Sequence, residues 1–119
     1  MTGDRELLEI RRSIDNLDNA MVAILAERFR LTERVGFIKL SLNLPPEDLE
    51  RERAQEHHFS ELASSYGLDR ATLVAIMRTV IAQVKKRHLE IRAGDHTGLA
   101  DPSAGSPEKP ATSPSVPSP

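Results

Sequence analysis

The chain has 119 residues, 16 basic and 18 acidic, with a net charge of −2, a single Tyr and no Trp, which argues against a nucleic-acid-binding surface. The absence of cysteine excludes disulfides and thiolate metal sites and fits a reducing compartment, so a cytoplasmic protein is expected. Charges at Asp4, Arg5, Glu6 and Glu9 stand where a signal peptide needs an apolar core, and no apolar run has the length of a membrane span.

A first helix is expected from about Asp4 to Leu42. Leu7, Ile10, Ile14, Leu17, Met21 and Ile24 step by three and four, and Leu31, Val35, Ile38 and Leu42 continue the stripe. Between Ile24 and Leu31 the pattern calls for an aliphatic residue and the chain has Arg28. A guanidinium on a buried stripe is costly unless an anion meets it, either a carboxylate of the same fold or a ligand. Lys39 follows eleven residues later, about 20° round the helix and about 16 Å along it, so both cations can lean into one space. Arg11 is about 25 Å from Arg28 and about 100° round, out of reach of the same small ligand, and is expected to serve a neighbouring molecule. Gly36 interrupts the helix and marks a close approach of other backbone or ligand. Asn43-Leu44-Pro45-Pro46 is expected to end it, since a residue before proline is pushed out of the α region.

Pro46 suits the first turn of a second helix, with Glu47 and Asp48 complementing its dipole. Its apolar side is Leu49, Phe59, Leu62, Ala63 and Tyr66, and Gly67 closes it. Glu52 falls on that side, next to Arg51 and one turn after Asp48. It reads either as one member of an alternating charged surface or as a pocket carboxylate. His57-His58 diverge by about 100° and lack a supporting carboxylate spacing, so no metal site is expected. Asp69 is the expected N-cap of a third helix with an inner face of Leu73, Ile76, Met77, Val80, Ile81 and Val84. His88 continues that stripe, either as a helix-end residue favoured by the C-terminal dipole or as a pocket group. Gly94 stops the helix.

Residues 1–94 thus form one helical domain. Residues 95–119 hold six of the eight prolines, with Pro107/Pro110 and Pro114/Pro117 at proline-motif spacing, and are expected to be a disordered Pro/Ser-rich tail. A helix of nearly forty residues, about 57 Å, is too long for two short helices of its own chain to cover. An intertwined antiparallel homodimer of an all-α fold follows. Cations, one carboxylate and one imidazole describe a pocket for a small dianion. Nothing supplies a nucleophile–base pair, a metal or a cofactor site.

The run Leu8-Glu9-Ile10-Arg11-Arg12-Ser13-Ile14-Asp15-Asn16-Leu17-Asp18, then Leu25-Ala26-Glu27-Arg28, Val35-Gly36 with Lys39, and Asp48-Leu49-Glu50-Arg51-Glu52-Arg53 resembles the all-α (AroQ-class) chorismate mutases over about residues 6–92. That resemblance implies an intertwined dimer with two active sites and a pericyclic rearrangement of chorismate to prephenate, with no cofactor. It implies that Arg28 and Arg11 of the partner chain grip the two carboxylates. Lys39 would contact the ether oxygen and a carboxylate, and Glu52 the ring hydroxyl, while Asp48 and Arg51 shape the pocket. Two positions depart from the pattern: His88 stands where the family commonly has Gln as second donor to the ether oxygen, and Val84 where a small polar residue is often found. With no further domain after residue 94, a monofunctional enzyme is expected. The same pocket type serves isochorismate-pyruvate lyases and 4-amino-4-deoxychorismate mutases. A non-catalytic helical dimer binding a pathway enzyme is the alternative outside catalysis.

Overall fold

The computed structural model describes residues 2–97. They form three helices, α1 (Thr2–Ser41), α2 (Leu49–Tyr66) and α3 (Arg70–Arg92), as the periodicity predicts. None is long and apolar enough to cross a membrane.

All three helices end in the same device. A residue in the left-handed region follows the last turn, at Asn43 (φ 58°), Gly67 (φ 70°) and Gly94 (φ 100°). In each case the following N–H reaches back five residues, from Leu44 to Lys39 at 2.8 Å, Leu68 to Ala63 at 2.9 Å and Asp95 to Glu90 at 2.9 Å. These paired bonds satisfy carbonyls that helix ends leave free. Asn43, which tolerates a positive φ, therefore stops α1 before either proline acts. The expectation for Pro46 needs correction, because α2 begins only at Leu49. Asp48 is its N-cap, accepting from the Arg51 N–H at 3.0 Å, and a capping carboxylate fixes a helix start more strongly than a proline permits one. Asp69 caps α3 as expected, its carboxylate accepting from the Thr72 N–H at 2.9 Å and hydroxyl at 2.7 Å.

α3 is the hub. It packs against α1 and against α2, while α1 and α2 do not pack on each other. Against α1, Gly36 is buried and leaves room for the rings and chains of α3. A Cβ there would lie 2.6 Å from His88 Cδ2 and 3.0 Å from Ile91 Cδ1. The close neighbour that Gly36 anticipates is thus a side chain rather than backbone or ligand. Glu33 and Arg87, both largely shielded from solvent, pair across the same seam. Against α2, the buried residues are Phe59, Ala63 and Val80, and Arg78 pairs with Glu56 at 2.9 Å nearby.

Among the described residues, nothing covers the apolar stripe of α1. Every residue from 2 to 25 is exposed, with Leu7 at 47 %, Leu17 at 63 % and Ile24 at 69 %. Tyr66, Leu49 and Ile76, expected on inner faces, are also exposed, because none of the described elements lies over them. Asp95 to Thr97, expected in the tail, instead fold back on the helices. Arg87 donates to the Asp95 carbonyl at 3.0 Å, and the His96 ring meets Phe37 edge-on at 5.2 Å. Residues 98–119 of the expected tail lie outside the described residues.

Candidate functional site

Because α1 and α2 both lean on α3 without touching each other, a cavity of about 280 Å³ opens between them with α3 as its floor. α1 contributes Arg28, Leu31, Thr32, Val35 and Lys39. Pro46 and Asp48 close one end, α2 brings Arg51, Glu52 and Gln55, and α3 brings Ile81, Val84, Lys85 and His88. Seven of the eight residues singled out in the sequence therefore line one space. The eighth, Arg11, stands on the exposed arm of α1, seventeen residues before Arg28, and is no part of the lining.

Arg28 meets no carboxylate among the described residues. Its Nη1 is buried and makes no hydrogen bond among the described residues. Burial, and then the neighbouring Arg51 cation, pull its pKa below the ordinary arginine value. A half-buried guanidinium beside a second one, with its buried Nη1 donor left over, is arranged to receive an anion. Of the two partners the sequence allows, a carboxylate of the same chain is therefore excluded among the described residues.

Lys39 is anchored by one bond, its Nζ donating to the Pro46 carbonyl at 3.1 Å. An ammonium has three donors, so the others remain for a ligand. Asp48 holds its place as the N-cap of α2 and so sets where Arg51 and Glu52, in the first turn, stand. Glu52 is half-buried and pairs with Lys85 Nζ from α3 at 3.0 Å. It faces the cavity rather than an open charged surface. Val84 supplies an apolar wall.

His88 is 5 % exposed, and its Nε2 lies 2.7 Å from the Thr32 carbonyl oxygen. A carbonyl only accepts, so the proton on that side belongs to Nε2. In the neutral ring Nδ1 is then an acceptor, and it becomes a donor only in the imidazolium form. The ring thus combines a structural bond to α1 with a position on the cavity lining.

A larger groove, about 410 Å³, lies against the other side of the α1–α3 seam between Phe29, Gln83 and Lys86. Its charges Glu33 and Arg87 neutralise each other, and its other cation, Lys86, is exposed, so the groove offers no shielded cation comparable to Arg28 among the described residues. His57 pairs with Glu61 at 3.5 Å on an exposed surface, away from both spaces. Lys85, which also lines the cavity, is not among the residues that the sequence singled out. Its spacing of four from Ile81, a residue of the stripe, was the available signal.

Residues 10–89 match the family described as chorismate mutase type II. A chorismate mutase from Methanocaldococcus jannaschii is 33% identical over 88 residues, which cover 71% of this chain and 89% of the relative. The bifunctional chorismate mutase/prephenate dehydratase of Escherichia coli K12 is 33% identical over 81 residues, 68% of this chain. That of Aquifex aeolicus is 46% identical over 48 residues, 40% of this chain. The match spans 21% of the Escherichia coli protein and 13% of the Aquifex aeolicus one.

Proposed function

The chain belongs to the chorismate mutase type II family, and from that premise we propose that it converts chorismate to prephenate in the cavity between α1 and α2. The observation that carries this reading is the buried, unbonded Nη1 of Arg28 beside Arg51, on the same cavity as Lys39. It suits a carboxylate-bearing substrate.

The reaction breaks the ether C–O bond and forms a C–C bond in one cyclic step. It moves no proton and needs no nucleophile. The protein's contribution is to hold the compact conformer and to meet negative charge growing on the ether oxygen. Arg28 grips one carboxylate in a bidentate fork, Lys39 donates to the ether oxygen and a carboxylate, and Glu52 accepts from the ring hydroxyl. Asp48 and Arg51 shape the pocket, and Val84 packs against the substrate. His88 is the second donor to the ether oxygen. Its bond from Nε2 to the Thr32 carbonyl fixes the ring on the cavity lining.

The second carboxylate falls to Arg11 of a second copy. The uncovered stripe from Leu7 to Ile24 supports an intertwined antiparallel homodimer, in which the exposed arm of α1 lies across the partner's cavity. The reading places the protein in the cytoplasm.

Incubation with chorismate, isochorismate and 4-amino-4-deoxychorismate separately, with products identified, tests the assignment. Prephenate from chorismate is expected. Turnover of isochorismate alone to pyruvate and salicylate indicates a lyase, turnover of the amino compound alone an aminodeoxychorismate mutase, and no turnover of any of them a binding protein.

A further inference from the structure

Lys85 stands on α3 directly after Val84, and its ammonium lies 3.0 Å from Glu52 Oε2 and 3.7 Å from Glu47 Oε2. It ties α3 to the start of α2 at the rim of the cavity, with its side chain 37 % exposed. The hydrogen bond that Lys85 donates to Glu52 leads the effects that hold its ammonium above the ordinary lysine pKa. Glu52 is the carboxylate assigned to the polar ring substituent of the substrate, so that substituent meets a carboxylate whose charge is already matched by a neighbouring cation.

Resting on the chorismate reading above, we infer that Lys85 is a specificity-determining residue, which sets the preference for a ring hydroxyl over a ring ammonium by neutralising Glu52. A hydroxyl donates one hydrogen bond to the carboxylate and carries no charge, so a cation behind that carboxylate changes its binding little. An ammonium at the same place gains the attraction of Glu52 and loses most of it again to repulsion from Lys85. Without Lys85 the carboxylate is bare, and a cationic substituent is the better match. A purely mechanical role, a clamp between α2 and α3, alters both substrates alike. Only the charge changes their ratio.

The test measures kcat and KM for chorismate and for 4-amino-4-deoxychorismate in the parent protein, in Lys85→Met, which keeps the apolar stem, and in Lys85→Arg, which keeps the charge. Where the amino compound is not turned over, its Ki as a competitor of chorismate replaces its kcat/KM. The parent is expected to favour the hydroxyl compound. Lys85→Met should move the ratio toward the amino compound by about tenfold, the scale of one near-surface unit charge a few ångström away, chiefly through KM or Ki. Lys85→Arg should stay within about twofold of the parent, and in a Glu52→Gln background Lys85→Met should lose its effect. Lys85→Gln serves as a second charge deletion if the Met variant aggregates, with the same shift expected. A ratio unmoved in both charge deletions, an Arg variant that behaves like Met, or an effect that persists without the Glu52 charge overturns the inference while chorismate turnover by the parent leaves the functional reading standing. A parent inactive on chorismate overturns both together.

Discussion

Gly36 and His88 form one unit at the seam of α1 and α3. The ring fills the space a side chain on residue 36 would need, and its bond to the Thr32 carbonyl prevents it from swinging away. Gly36→Ala gains helix propensity yet forces that ring off its bond, so it should cost about 1–3 kcal/mol net in urea unfolding. A variant as stable as the parent shows that the ring yields freely. Within the cavity, Lys39→Ala should lower kcat by roughly 10²–10³ while the thermal melt is kept, as expected for loss of one preorganised donor to developing charge. An unchanged kcat removes Lys39 from the mechanism. For His88, the proposed role is a hydrogen bond to the substrate from the cavity lining. His88→Gln, which keeps a donor, should retain more activity than His88→Leu. Equal activity in the Gln and Leu variants places His88 outside the site.

At the scale of the helices, caps decide the boundaries and the boundaries place the site. Asp48 starts α2 where Arg51 and Glu52 reach the cavity, and the left-handed Asn43 turns the chain so that Pro46 can hold Lys39. Asp69 illustrates the electrostatics of such a start. Bonds from the Thr72 hydroxyl and then the Thr72 N–H hold its carboxyl below the usual aspartate range. A depressed folded-state pKa contributes stability above the unfolded value, and that contribution is lost as pH falls through the folded one. Asp69→Ala should therefore melt a few degrees below the parent at neutral pH, and the charge-dependent part of the gap should close in acid. A gap independent of pH assigns the whole effect to the uncharged cap. The periodicity of all three helices was plain in the sequence, whereas the start of α2 was not, since Pro46 and Asp48 are both acceptable at a helix start and only Asp48 bonds there.

For the whole molecule, the proposed dimer makes a quantitative demand. Arg11→Ala and Lys39→Ala homodimers should each be nearly inactive, because every site lacks one cation. Co-refolding equal amounts gives about half heterodimers, each with one intact site, so about a quarter of sites should recover. No recovery after heterodimers are verified by mass spectrometry refutes a site shared between copies. Separately, Leu17→Glu places a charge on the centre of the exposed stripe and should shift the sedimentation of the protein from dimer to monomer. A sedimentation profile like the parent's argues that the stripe is not the interface.

Sequence alone determined that the described residues form three helices, that α1 outruns its own domain, and that Arg28 on an apolar stripe needs an anion. Each of these is local, set by periodicity, length or the cost of one charge in an apolar setting. It left open whether Glu52 and His88 belonged to a surface or a pocket, because the side of a helix that meets the cavity depends on how the helices cross. Tertiary structure decided that. α1 and α2 each pack on α3 and stay apart, so a space is left between them, and groups up to sixty residues apart in the chain converge on it. The same packing turned His88 Nε2 to Thr32 and brought Lys85 to Glu52, pairings that no spacing along one helix encodes, since each partner is supplied by a different helix.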